Sequence, residues 1–107
     1  MRKCAIYNRI SIGDQNQLEE DRKELIAYCK ENLKIDDFVI FEEISSVLSD
    51  REEFNNMIEK INNHEFTDLL VAHPDRLFKA SYNQEKFDEI VNNISKCDVT
   101  LHCIKEV

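Results

Sequence analysis

At 107 residues and 12.7 kDa the chain suits one domain with a single core. Hydrophobic residues make up 42% and charged residues 34%, with one glycine (Gly13) and one proline (Pro74), which excludes collagen-like, linker-like and disordered chains. Fourteen Lys and Arg against 22 Asp and Glu leave a net charge of −8, so the domain as a whole repels polyanions, and contact with one requires a local basic cluster or another part of a longer protein.

No apolar run approaches the roughly 18 residues of a membrane span. The opening residues, Met1 to Arg9, hold no signal-peptide core, so the expected setting is cytoplasmic, with no membrane partner. Cys4, Cys29, Cys97 and Cys103 form no CxxC pair and have no histidine at zinc-finger spacing; buried, reduced thiols are expected.

In chain order, Cys4-Ala5-Ile6-Tyr7 is a strand-length apolar run, followed by a polar loop from Asn8 to Asn16. From Gln17 to Leu33 the residues Leu18, Leu25, Ile26, Cys29 and Leu33 share one helical face. Phe38 to Phe41 is the second strand, and the Ser-rich stretch from Ile44 to Asp50 reads as a loop. Ser49 and Glu52 stand at capping-box spacing, placing a helix start near Asp50, and Phe54, Met57, Ile58 and Ile61 form its apolar stripe. Asp68 to Ala72 is the third strand, closed by His73-Pro74. Ser81 and Gln84 form a second capping box ahead of the stripe Phe87, Ile90, Val91 and Ile94. Val99 to Ile104 is the fourth strand.

The order β-α-β-α-β-α-β predicts a three-layer α/β/α fold around a mainly parallel sheet of four to five strands. Sites in such sheets gather at the carboxyl ends of the strands. Three loops belong there: Asn8–Asn16, Glu42–Asp50 and His73–Ala80.

The first loop carries Arg9-Ile10-Ser11, with Asp14 and Gln15 behind. A serine just past a strand end and two residues from an arginine can serve as a nucleophile beside an anion site. Taken alone, the tripeptide reads more readily as a turn serine and a surface ion pair. Arg51 falls at the first turn of a helix, where free N–H groups already favour phosphate; its plainer reading is a solvated residue paired with Glu52 or Glu53. Asp75-Arg76-Leu77-Phe78-Lys79 puts Arg76 and Lys79 in one loop or turn at a strand end, or is an ordinary turn before a capped helix. Jointly, Arg9, Arg51, Arg76 and Lys79 around Ser11 suit phosphoryl transfer, since cations grip non-bridging oxygens and stabilise the charge developing at phosphorus. Such chemistry calls for no metal or other cofactor, and His64, His73 and His102 lack metal-motif spacing. A single glycine excludes a GxSxG elbow, a Walker loop and a dinucleotide fingerprint.

These residues resemble the catalytic domain of the serine recombinases, the resolvase/invertase family. Ala5-Ile6-Tyr7-Asn8-Arg9-Ile10-Ser11 with Gln15 is similar to the family's strand-one signature, A-x-Y-x-R-[VI]-S-x(3)-Q. Ser45-Ser46 through Asp50-Arg51-Glu52-Glu53-Phe54 is similar to its S-G-x(4)-R-x-x-F/L block, and Asp68 to Ala72 leading to Asp75-Arg76-Leu77-Phe78-Lys79 to its strand followed by L-D-R-L-x-R. The three motifs stand in the family's order across nearly the whole chain.

The resemblance implies a resolvase-like fold and a site-specific DNA recombinase. Ser11 would attack a scissile phosphodiester, leaving a 5′-phosphoserine link and a free 3′-hydroxyl. Arg9, Arg51 and Arg76 would hold the phosphate, with Lys79 in place of a further arginine. Asp75 would orient an arginine or assist proton transfer, and Gln15 would help position the loop. The phosphoserine ester would store the energy for rejoining without ATP or metal. The implied partners are double-stranded DNA and further copies of the chain, as dimers pairing into a tetramer; the implied dimerisation helix and DNA-binding region would follow residue 107. Lys79, Ser46, Asp21 and Glu42 depart from the usual arginine, glycine, glutamine and aspartate. Those at Ser46 and Lys79 are the support for an alternative, a catalytically degenerate domain serving as a regulatory or interaction module. A phospho-acceptor receiver fits less well, because the first loop lacks paired acids and Arg9 and Arg76 would have no role.

Overall fold

A computed structural model describes every residue except Val47, in the Ser-rich loop, and the last two, Glu106 and Val107. Four strands, β1 (Cys4–Ile10), β2 (Phe38–Ile44), β3 (Asp68–Val71) and β4 (Thr100–Cys103), alternate with three helices, α1 (Gln15–Glu31), α2 (Glu52–Asn62) and α3 (Gln84–Lys96). A single 3-10 turn, Pro74–Arg76, follows β3. The sheet is parallel throughout, in the order β2-β1-β3-β4. Among the described residues the strands number four, within the expected four to five.

Alternation along the strands sorts the core into two layers. On one face Cys4, Ile6 and Leu70 pack with Leu25 and Cys29 of α1 and with Ile35. On the other, Ala5, Tyr7, Phe41, Leu69 and Val71 pack against Phe54, Met57 and Ile61 of α2 and Ile94 of α3. One helix therefore covers one face and two cover the other, giving the expected three layers. β1, buried along its whole length, lies between β2 and β3.

Several boundaries differ from the sequence reading. β1 continues through Asn8, Arg9 and Ile10, and β2 through Glu42, Glu43 and Ile44, so both strands run three positions past their expected ends, the first two of them polar. α1 begins at Gln15 and ends at Glu31, which makes Gln15 and Asn16 helical and shortens the first loop to Ser11–Asp14. Ser49 does not cap α2; its hydroxyl donates to the Ser46 carbonyl (2.8 Å), and the N-cap position belongs to Arg51. The cap of α3 is Asn83 rather than Ser81, with Asn83 Oδ1 accepting from the Lys86 amide at 3.1 Å. β3 and β4 are shorter than expected, ending at Val71 and spanning Thr100–Cys103. Of the four cysteines only Cys4 and Cys29 are buried; Cys97 and Cys103 are half-buried, near the sheet edge formed by β4.

Candidate active site

Arg9 occupies the penultimate position of β1 and is only 2% exposed. Its guanidinium donates to three main-chain carbonyls: Ser45 (2.6 Å), Arg76 (3.1 Å) and Asp75 (3.3 Å). Arg51, 6% exposed at the N-cap of α2, lies over the Phe54 ring at 3.8 Å and donates to the same Arg76 carbonyl at 3.2 Å. Two guanidiniums from distant stretches thus meet on one oxygen supplied by the turn after β3. Among the described residues, none of Arg9, Arg51 and Arg76 forms an ion pair with a carboxylate. Burial pulls the Arg9 pKa below its ordinary value; the charges of Arg76 and Arg51 lower it further, and Tyr7 and Glu43 partly offset them. An arginine stays charged under such a shift, so Arg9 and Arg51 form a buried positive site that no carboxylate ion-pairs among the described residues.

Two buried polar atoms at this end have no partner among the described residues, Ser45 Oγ and Arg76 Nε. Both belong to residues whose carbonyls accept from Arg9. Unpartnered buried groups are uncommon in native proteins and point to a ligand or a rearrangement that satisfies them.

Ser11 follows Arg9 by two residues, at most about 7 Å along the backbone. It is exposed, with its carbonyl accepting from the Asp14 amide at 3.2 Å to close the turn. The next residues are Ile12, whose side chain is 81% exposed, and Gly13, whose φ of +104° suits a residue without a Cβ. Gln15 is the exposed first residue of α1. Asp75 contributes its carbonyl to Arg9, while its carboxylate lies 3.7 Å from His73 Nδ1; that nitrogen also accepts from the Asp75 amide at 3.1 Å. The Lys79 ammonium lies 5.3 Å from the centre of the Tyr82 ring.

Two acidic residues that the sequence reading left without a role organise this end. Glu42 takes a two-pronged contact from Arg22 (2.8 and 2.6 Å) and a hydrogen bond from Asn8 Nδ2 (2.8 Å), which also donates to the Leu18 carbonyl (3.0 Å). The Arg22 hydrogen bond chiefly holds its carboxyl below the usual range, and the arrangement ties α1 to β1 and β2. Glu43 accepts from the Tyr7 hydroxyl (2.5 Å) and from the amides of Glu53 (3.2 Å) and Phe54 (3.1 Å). Burial, then the hydrogen bond to Glu43, raises the Tyr7 pKa. The available signal was an acidic pair directly after an apolar strand, whose alternation sends one carboxylate to each face. Asp21, buried, accepts from Gln17 Nε2 at 2.9 Å and lines a cleft of about 370 Å³ with His73, Asp75 and Arg76.

The family model "Resolvase, N terminal domain" matches residues 4–107. The chain belongs to the resolvase family. Solved structures agree with the membership. The C-terminal catalytic domain of ISC1926 TnpA, an IS607-like serine recombinase, superposes with a TM-score of 0.79 at 21% identity, over 96% of this chain and 67% of that one. A serine recombinase from Sulfolobus solfataricus gives 0.77 at 25% identity, over 100% and 71%. The N-terminal catalytic domain of TP901-1 integrase gives 0.74 at 24%, over 96% and 77%. No match was found among curated proteins. This resolvase-family chain thus has the fold of serine recombinase catalytic domains.

Proposed function

We propose that this resolvase-family domain cleaves and rejoins double-stranded DNA through Ser11. The Ser11 Oγ–P bond forms as the bond from phosphorus to the 3′-oxygen breaks; the hydroxyl proton passes to solvent and the departing 3′-oxygen takes one up. The product is a 5′-phosphoserine ester, and attack on it by a 3′-hydroxyl rejoins DNA by the reverse exchange, with no external energy source. Arg9, Arg51 and Arg76 neutralise the non-bridging oxygens; Asp75 acts on Arg9 through its main-chain carbonyl, and Gln15 sets the start of α1 behind the serine loop. Lys79 adds a further charge. The working assembly is a dimer pairing into a tetramer, in the cytoplasm, with DNA-site recognition outside this domain.

The observation that carries the reading is the junction of Arg9 and Arg51 on the Arg76 carbonyl, buried and with no carboxylate ion pair among the described residues, Arg9 lying two residues from an exposed serine. Neutralising several guanidiniums with a phosphodiester is what such a site lacks. The test is to incubate the full-length protein with fragmented host DNA, denature, and look for protein-linked DNA. The adduct is expected to map to Ser11 after nuclease digestion and mass spectrometry, and to vanish in Ser11→Ala. A denaturant-stable adduct that survives Ser11→Ala removes the serine from its role.

A further inference from the structure

The site needs Arg51 at the very start of α2, and this location has a cost. The residue preceding a helix usually carries an oxygen that accepts from the second and third helical amides. Arg51 has only donors, and it makes no side-chain cap. The amides of Glu53 and Phe54 instead bond to Glu43, which is the register partner of Arg9 on the neighbouring strand.

Glu43 does not reach across to Arg9 as an ion pair among the described residues. One of its oxygens accepts from the Tyr7 hydroxyl and the Phe54 amide, the other from the Glu53 amide. The Tyr7 ring meets the Phe54 ring edge-on (centroids 5.4 Å apart, 65° between planes), and the Arg51 guanidinium lies on Phe54. A carboxylate at a helix N-terminus is also favoured by the helix dipole. One acidic side chain therefore fixes the strand, the helix start and, through Phe54, the plane on which Arg51 rests.

We propose that Glu43 is a positioning residue for cleavage: by capping α2 in place of the residue at its N-cap, it frees the Arg51 side chain to turn to the Arg76 carbonyl and the phosphate. This inference rests on the reading of Ser11 and Arg51 given above. Glu43 forms no ion pair with Arg9 among the described residues, although its charge favours the charged guanidinium, and its positioning role runs through the helix it caps. A misplacement of one ångström at a reacting group costs up to about 100-fold in rate.

The experiment is a double-mutant cycle in the full-length protein. It follows single-turnover formation of the Ser11 adduct on fragmented host DNA, with DNA affinity and thermal melting measured on each variant. Glu43→Ala is expected to slow adduct formation about 10- to 100-fold with DNA affinity unchanged. In an Arg51→Ala background the same change is expected to cost less than about threefold, although it still lowers the melting temperature. Glu43→Gln, whose amide oxygen still accepts from the helix, is expected to recover most of the rate and covers the case in which the alanine variant does not fold. An equal loss with and without Arg51 overturns the positioning role while the Ser11 reading stands, and so does a Glu43→Gln variant as slow as Glu43→Ala at native stability. Absence of any Ser11-dependent adduct in the unmodified protein overturns the cleavage reading, and the positioning role falls with it.

Discussion

At the amino end of the sheet, the buried carboxylate of Asp68 is saturated by Arg2 (3.0 Å), His102 (2.8 Å) and the Thr67 hydroxyl (2.6 Å). At the carboxyl end, Arg9 and Arg51 are also buried but donate to main-chain carbonyls in place of a carboxylate, and two polar atoms beside them have no partner among the described residues. The first end closes the fold: it joins Arg2, two residues ahead of β1, the start of β3 and a side chain of β4 through one anion. The second keeps positive charge in a low-dielectric setting with no carboxylate paired to it and only a partial offset from Glu43, an arrangement that native proteins tolerate where an incoming anion completes it.

The sharpest way to break this contrast is Arg9→Ala. It is expected to reduce Ser11 adduct formation by about 100- to 1000-fold. Stability should move by about 1 kcal/mol or less, because relief of like charge offsets lost hydrogen bonds. Urea titration beside the cleavage assay checks both. A loss of several kcal/mol would make Arg9 a structural residue of the same kind as Asp68.

Asp68→Asn tests the opposite end. Burial alone would raise the Asp68 pKa, but hydrogen bonds from Arg2, Thr67 and His102 and the charge of Arg2 outweigh it and bring it down to about 2, from an ordinary 3.8. A carboxylate depressed in the folded state stabilises above its unfolded pKa and loses that contribution as pH falls toward the folded value. Asp68→Asn is accordingly expected to lose about 2 kcal/mol at pH 7, with the gap from the unmodified protein closing between about pH 4 and pH 2. Denaturant midpoints across that range, with cleavage per folded molecule unchanged within about threefold, give the check.

The smallest expected effect is at Lys79. With its ammonium on Tyr82, Lys79→Ala should slow adduct formation by tenfold at most, roughly the scale of losing one screened charge. A loss as large as that of Arg9→Ala would place Lys79 among the phosphate ligands.

The fold was legible because its core is written in short apolar runs and helical stripes: Ile6, Leu70, Met57 and Ile94 all lie where their periodicity puts them. Strand ends at the site were not, for a definite reason. Asn8-Arg9 and Glu42-Glu43 look like loop residues by polarity, yet they extend β1 and β2 because they satisfy one another or nearby main chain in pairs that only the parallel register creates. Local capping patterns misplaced the start of α2 for a related reason, since its acceptor comes from ten residues upstream on a strand. The residue types at Arg9, Arg51 and Arg76 could be read from the chain; that Arg9 and Arg51 converge on a carbonyl could not, because no side-chain pattern encodes a main-chain acceptor.

The oxygen shared by Arg9 and Arg51 belongs to the backbone, so no amino-acid replacement can delete it. The pair can be loosened only by reshaping the 3-10 turn that presents it, and Pro74, with its fixed φ, opens that turn. Drift at position 76 could therefore alter one guanidinium without parting the other two, whereas drift at Pro74 would slacken the whole junction. The proline thus guards the geometry, although its ring carries no charge.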